Sequence, residues 1–472
     1  IATVLPRMLS FFLVGLHTNS MPKEAYGSIT LLLSWMIFLN VVLSYGMETA
    51  FFRFYNKEED KKTVVSTSLY ALLVSSLSFL FLGILFQDAL AKVFNSEVEF
   101  VVFAVWILVL DALVVIPFSK LRVEQRPIKY AVIKIANVVI NMGLNVFFLV
   151  YLPKLAQTGS DSFWYSIYIP NFQIGYIFLS NVVASAFTLL FFIGDYFTLK
   201  LSFNYQLLKQ MLNYGFPILI AGLAFAVNEH FDKILLDHWL PQNIAKAAVG
   251  AYAACYKIGL FMVLFRTAYT LGIEPFFFSY AKNEDAPKTY AAITKYFVIF
   301  GSLILLGVVV FADVVKILLV RDTSYWEAMS VVPLILLANF FLGIYTSLSV
   351  WYKLIDKTIV GAYISIVGAV LTLVLNYLLI PHFSYLGSAI ATLVAYGSMM
   401  MISYLLGQKF YAIPYPKKEI GMYLGGSIIL SCLYFYIPFF RAHIAVGILF
   451  ILLFIGFIYR NEKELILKIL KR

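Results

Sequence analysis

Arg266 stands inside an unbroken apolar run, LFMVLFRTAYTLG at residues 260–272, where a side-chain charge has no short route to water. A charge at the centre of a membrane span costs about 2.5–3.5 kcal/mol on insertion scales, so a residue kept there calls for a function. A guanidinium presents a planar fork of donors that matches phosphate oxygens and that no hydrocarbon can satisfy. Arg266 is therefore expected to face a water-filled cavity. Lys257 lies nine residues earlier, which in a straight helix of about 3.6 residues per turn is half a turn out of phase. It joins Arg266 as a cavity candidate only if the helix bends; otherwise it pairs with an acid or reaches outward. Arg7 follows Pro6 near the polar edge of the first apolar run, where an arginine can also snorkel to lipid headgroups.

The acids pose the complementary question of ion coupling. Asp111 is centred in VWILVLDALVVI at residues 105–116 and is a candidate for binding a proton or Na+, or a partner for Lys134 or Arg7. Glu229, Asp232 and Lys233 occur at i, i+3, i+4 and share one helix face. A Glu229–Lys233 pair is expected, which would leave Asp232 as a free carboxylate for a coupling cation or proton; the alternative is a solvated helix end. Glu48 and Arg53 close another run, but five residues apart they stand about 140° from each other and make a poor pair. Glu48 and Glu274 are expected to steady a gate through hydrogen bonds or ion pairs to neighbouring helices. The plain alternative is a charge at the lipid-water boundary.

Membrane helices must position these charges. The chain of 472 residues is 62% hydrophobic, 17% aromatic and only 13% charged, against about 25% charged for soluble domains. Apolar runs of about 20 residues, enough to cross a hydrocarbon core, recur from end to end. They fall near 1–20, 28–50, 64–86, 99–119, 131–152, 172–195, 211–236, 248–273, 296–315, 329–351, 359–380, 386–407, 420–438 and 443–459. The predicted fold is all-α and polytopic with about 14 transmembrane helices. Of the 35 Lys and Arg, 24 fall in loops after even-numbered spans or the tail and 8 in loops after odd-numbered ones. By the positive-inside rule both termini are cytoplasmic, and the formal charge of +10 reflects loops facing anionic lipid rather than nucleic acid. The sequence starts at Ile1 rather than Met, so a preceding piece is expected.

Cys255 and Cys432 lie in apolar runs without CxxC spacing, and the five histidines show no HExxH or i,i+4 pair. A disulfide, a zinc site or a metal enzyme is disfavoured, and no cofactor is expected beyond Na+ or H+ coupling. The absence of GxxxxGK[ST] argues against nucleotide hydrolysis. The loop at 153–172 carries Trp164, Tyr165 and Tyr168, read as interfacial anchors, with stacking on a sugar as the minority reading.

Residues 45–55, YGMETAFFRFY, align without a gap to residues 271–281, LGIEPFFFSYA, matching Gly46, Glu48, Phe51 and Phe52 to Gly272, Glu274, Phe277 and Phe278. Pro6 and Pro217, Pro153 and Pro381, and Gly175 and Gly387 are weaker echoes. Six spans separate the copies, so both halves share one orientation, the parallel-repeat plan of transporters. Expected units are an N-terminal lobe at 1–200, a C-terminal lobe at 201–410, and two further spans with a tail at 411–472.

With KLRVEQRPIKYAVIKIANVVIN at 120–141 and VGAYAACYKIGLFMVLFRTAYTLGIEPFFF at 249–278, these motifs resemble the multidrug/oligosaccharidyl-lipid/polysaccharide exporter superfamily. Within it, the chain looks like the oligosaccharide flippases of bacterial polysaccharide and O-antigen assembly. The resemblance implies two six-helix lobes around a cationic cavity that accepts a polyprenyl diphosphate headgroup with its sugars, in the bacterial inner membrane. It places Arg7 on the cavity wall and matches Arg53 to a basic residue at the family's span 2 end, although Arg53 has Ser279 as its repeat mate. The implied partners are the lipid-linked oligosaccharide, membrane lipids, and polysaccharide polymerase and glycosyltransferases. Not an enzyme is the expectation. A cation-coupled multidrug exporter of the same superfamily is the nearest alternative, disfavoured by Arg7, Arg53 and Arg266. A membrane polymerase or ligase is disfavoured by the short outer loops, and a structural scaffold leaves the mid-span charges unexplained.

Overall fold

The computed structural model describes the backbone of residues 4–157, 162–197 and 202–470, and side chains within 12–463. All regular structure among the described residues is helical. We label the principal helices α1 (Val4–Ser20), α2 (Lys23–Ser44), α3 (Met47–Lys57), α4 (Lys61–Leu85), α5 (Val98–Leu113), α6 (Val115–Val123), α7 (Pro127–Val146), α8 (Gln173–Leu190) and α9 (Tyr205–Trp239). There follow α10 (Gln242–Tyr256), α11 (Leu260–Tyr280), α12 (Ala286–Val310), α13 (Val332–Leu348), α14 (Val350–Leu354), α15 (Ile359–Phe410), α16 (Lys417–Tyr436) and α17 (Ile444–Leu470).

Twelve helical segments among the described residues are long and apolar enough to cross a membrane. The 52-residue α15 contains two of the fourteen expected spans, because Ser384 (φ 51°, ψ −136°) breaks it three residues after Pro381. Helix α1, at 17 residues, supplies the remaining leg. The protein is a multi-pass helical membrane protein.

Several spans are built from two helices, which the apolar pattern does not reveal. The expected 28–50 run is α2 followed by α3, separated at Tyr45 and Gly46, both in the left-handed region with φ 32° and 71°. Glycine is required at 46 twice over: an L side chain rarely adopts that φ, and a Cβ would lie 2.4 Å from the Gly215 carbonyl oxygen of α9. Its repeat mate Gly272 has nothing within 4 Å of where a Cβ would sit, so this sequence echo does not carry a shared packing role. Fixed caps set the starts of other helices. Asp60 accepts from the Lys62 and Thr63 amides at the start of α4, and Asn204 accepts from the Leu207 amide at the start of α9.

Packing divides the chain into two compact units, Ile1–Gly250 and Ala251–Arg472. In the first, a cluster around Phe51, Phe54, Leu72 and Met211 joins α3, α4 and α9. In the second, Trp351, Tyr352, Tyr396 and Met399 join α13, α14 and α15. Helices α16 and α17 are pinned by a half-buried charge cluster in which Lys295 of α12 reaches Glu419 at 3.1 Å and Glu462 at 2.9 Å.

Candidate functional site

In the first unit the polar side chains of three spans converge. Helix α7 presents Lys134, Asn137, Asn141 and Asn145 at steps of three or four residues, so all four fall on one stripe. Facing it, α8 presents Asn181, Ser185 and Thr188. Asn137 donates to the Ala184 carbonyl at 3.0 Å and to Thr188 Oγ1 at 2.9 Å, and Asn141 donates to Asn181. Asn145 donates to Asn141 Oδ1 at 2.7 Å, while its own oxygen lies 2.9 Å from His17 Nε2 of α1. Amide bonds of this kind glue membrane helices at roughly 0.6 kcal/mol each, up to about 1.7, so the ladder alone is accounted for by packing.

The charges beside it are not. Asp111 of α5, Glu48 of α3, Arg122 of α6 and Lys134 line a polar cavity of about 330 Å³ with the amides of the seam. Asp111 accepts from Ser185 at 2.7 Å. Glu48 accepts from Arg122 at 2.6 Å, and Lys134 is drawn over the Phe118 ring, 4.2 Å from its centroid. With Glu48 paired to Arg122, Asp111 and Lys134 are the remaining opposite charges of the cavity among the described residues. Sequence reasoning offered Lys134 as a partner for Asp111, and the two line this same cavity; it passed over the asparagines, although their spacing at 137, 141 and 145 was the available signal.

In the second unit Arg266, Tyr269, Thr270 and Glu274 occupy one broad face of α11. Arg266 is half-buried. Its stem lies along the seam with α13, where a Cβ on Gly343 would be 3.6 Å from its Cγ. Next along the seam, Tyr269 meets Ser347 at 2.8 Å, and Ser347 meets Thr294 of α12 at 2.7 Å. Glu274 accepts from Lys353 of α14 at 2.5 Å. The two glutamates of the sequence repeat thus make equivalent ion pairs: Glu48 from span 2 to span 4, Glu274 from span 8 to span 10.

The other candidates stand apart from these clusters. Arg53 is exposed, its guanidinium 4.3 Å above the Tyr214 ring. Lys257 is half-buried on a 3₁₀ turn, Lys257–Gly259, that interrupts the span; the straight-helix phase argument separating it from Arg266 does not apply. Asp232 is not left free. It is buried and takes both of its oxygens to the Lys233 ammonium, at 2.8 and 3.0 Å. Adjacent residues can do this because the long lysine stem curls back, a geometry that the i,i+4 rule overlooks. Glu229 is half-buried on the same helix. Arg7 lies outside the described side chains.

Long membrane-crossing helices with charges in their seams define a polytopic helical membrane protein, and comparison with known proteins gives its family and fold. The family described as polysaccharide biosynthesis protein matches residues 1–280. This chain belongs to that family. It is 22% identical over 216 residues to an uncharacterized membrane protein of Methanocaldococcus jannaschii, covering 45% of this chain and 47% of that one. It is 25% identical over 219 residues to a probable multidrug resistance protein NorM of Bacillus cereus, covering 43% and 46%. The chain thus spans about half the length of these curated relatives. Among solved structures, the lipid II flippase MurJ in an inward closed conformation superposes with a TM-score of 0.74 at 16% identity over 98% of both chains. An inward-facing multidrug resistance MATE family transporter of the MOP superfamily gives 0.65 at 14% identity, over 86% of this chain and 97% of that one. At these identities the likeness establishes the fold alone, a MurJ/MATE-like helical fold.

Proposed function

We propose that the protein is a flippase that moves polyprenyl-diphosphate-linked oligosaccharide across the bacterial inner membrane by alternating access, for surface polysaccharide biosynthesis. The observation that carries this reading is Arg266, a permanent cation held in a polar helix seam inside a span of a polysaccharide biosynthesis family member. A diphosphate presents oxygens that match the planar fork of donors on a guanidinium. Arg7, Arg53 and Lys257 are the further substrate-binding cations of this reading. No covalent chemistry is required of the protein, since the task is to lower the penalty for passing a charged, hydroxyl-rich headgroup through lipid.

In this scheme lobes 1–200 and 201–410 carry the transport cycle, with 411–472 appended, and both termini are cytoplasmic. Glu48–Arg122 and Glu274–Lys353 act as gate ties. Asp111 is the coupling group, with Asp232 and Glu229 as a second acidic position. Lys134 shares the Asp111 cavity, and its charge works against a bare metal ion there and in favour of a proton. Polysaccharide polymerase and glycosyltransferases are the working partners.

Arg266→Ala should abolish surface polysaccharide export at least tenfold while the protein still inserts, and Arg266→Lys should restore part of it. Normal polysaccharide in the alanine variant would remove Arg266 from the site. The same strains should show unchanged resistance to organic cations; loss of that resistance would favour the multidrug reading that the NorM relative suggests.

A further inference from the structure

A second polar cavity, of about 420 Å³, lies at the opposite end of the α7–α8 seam from Glu48 and Arg122. Its floor is formed by a π-helical turn, Phe147–Tyr151, that continues α7. Such turns add a residue to the helix, cost hydrogen-bond quality and gather at functional sites. Here the turn aims Phe148 at Tyr176 of α8, the rings parallel within 9° and 5.0 Å apart. The wall is fixed from behind, because the Tyr176 hydroxyl accepts from the Ile169 amide at 2.7 Å. Asn171 holds the left-handed backbone conformation, φ 59°, that turns the chain into α8.

Around this aromatic floor stand Asn19, Lys154, Tyr168, Asn171 and Gln173. Among the described residues none of the five makes an intramolecular hydrogen bond or ion pair through its side chain, whereas the amides of the neighbouring seam, Asn137, Asn141 and Asn145, are all engaged. Three side-chain amides offer paired donors and acceptors to hydroxyl groups. Apolar walls with a few convergent polar groups are what a small-molecule pocket of this volume requires. Hydroxyl-rich rings with apolar faces match both features; a hydrocarbon tail would waste the amides, and an inorganic anion would waste the rings.

We infer that this pocket is a saccharide-binding site, taking a short stretch of sugar rings between the π-turn aromatics and the Asn19, Asn171 and Gln173 amides. The inference rests on the flippase reading for its choice of ligand. On the charge asymmetry of the loops, the pocket opens to the outer face, where it would receive glycan after the headgroup has crossed. Lys154 at its rim would favour an acidic sugar.

The test uses the full chain in phosphatidylcholine nanodiscs, probed against an array of labelled oligosaccharides, neutral and uronic-acid-containing, with glycerol as a polyol control. Saturable binding to a subset of the array is expected, weakened about tenfold or more by Asn171→Gly with Gln173→Ala, the glycine keeping the left-handed backbone. Phe148→Leu should weaken it similarly at nearly constant volume. No binding on the array, binding untouched by these variants, or displacement by glycerol at equal concentration would overturn the site. Because this readout needs no transport, polysaccharide export that persists without array binding would sink the pocket alone. Export insensitive to Arg266→Ala would sink the flippase reading alone.

Discussion

Asp111 and Arg266 are both charges inside spans, yet their surroundings set them different tasks. Asp111 accepts one short hydrogen bond among the described residues, from Ser185 at 2.7 Å, and faces a cavity large enough for water. Such a carboxylate can change its charge without dismantling a helix contact. Asp111→Asn should therefore leave thermal stability within about 1 kcal/mol while removing the dependence of transport on an imposed proton gradient, read in proteoliposomes with gradients of either H+ or Na+. Retained proton dependence would exclude Asp111. Both residues were legible in the sequence because an isolated charge in an apolar run is conspicuous. Lys134 was legible only as a candidate partner of Asp111, since it sits about two turns into α7, where hydropathy cannot tell a helix end from a connection. The Asp232–Lys233 pair was misread for another reason: spacing rules describe where side chains leave the backbone, not where a flexible stem ends.

Breaks within spans matter more than spans at the level of helices. The α2–α3 break at Tyr45–Gly46 puts Glu48 on a short helix of its own, and Arg122 sits on the still shorter α6. Their ion pair ties two terminal helices together. Its side chains are 48% and 51% exposed, so its contribution to stability is small, about 0–1 kcal/mol. On the proposed flippase reading its effect belongs to transport. Glu48→Arg should slow export several-fold with little change in melting temperature, and the reversed pair Glu48→Arg with Arg122→Glu should recover most of it. Equal defects in single and double variants would show that no tie operates.

A different helix contact governs acid tolerance. On the short helix Ala312–Leu319, beyond the end of α12, Asp313 receives Arg441 through two bonds of 2.8 and 2.9 Å and lies 2.5 Å from Lys316. The Arg441 guanidinium, with Lys316 behind it, holds this carboxyl at about 2, below its ordinary 3.8. A depressed carboxyl contributes stability in full above 3.8 and loses it as pH falls through about 2. The melting temperature should accordingly fall more steeply over that window in the native chain than in Arg441→Gln, measured by thermal shift in detergent. Parallel slopes would deny the pair any role.

For the whole molecule, fourteen legs follow from hydropathy alone, since membrane length and apolar composition are set by the same solvent. Connection between legs was less visible: α15 runs two of them together, broken only at Ser384, whose positive φ no hydropathy pattern announces. Attachment of the last two spans was equally hidden. Lys295 bridges Glu419 and Glu462, the latter also accepting from Tyr423 at 3.0 Å. Glu462 is largely covered while Glu419 is 46% exposed, so loss of the lysine strands one covered carboxylate at a cost of about 1–3 kcal/mol. Lys295→Met should lower stability by about that much and expose the α16–α17 region to limited proteolysis; an unchanged melt would mean the anchor is dispensable.

Reconstituted vesicles offer the most direct measurement of the central claim, that intramembrane arginine carries an anionic lipid head across. Fluorescent polyprenyl-diphosphate oligosaccharide is placed in both leaflets, and the fraction accessible to an added glycosidase is followed with time. Native protein should expose the inner-leaflet pool, Arg266→Ala should leave it protected, and an organic cation loaded in the same vesicles should stay inside. Protection of that pool by native protein together with release of the cation would contradict the account.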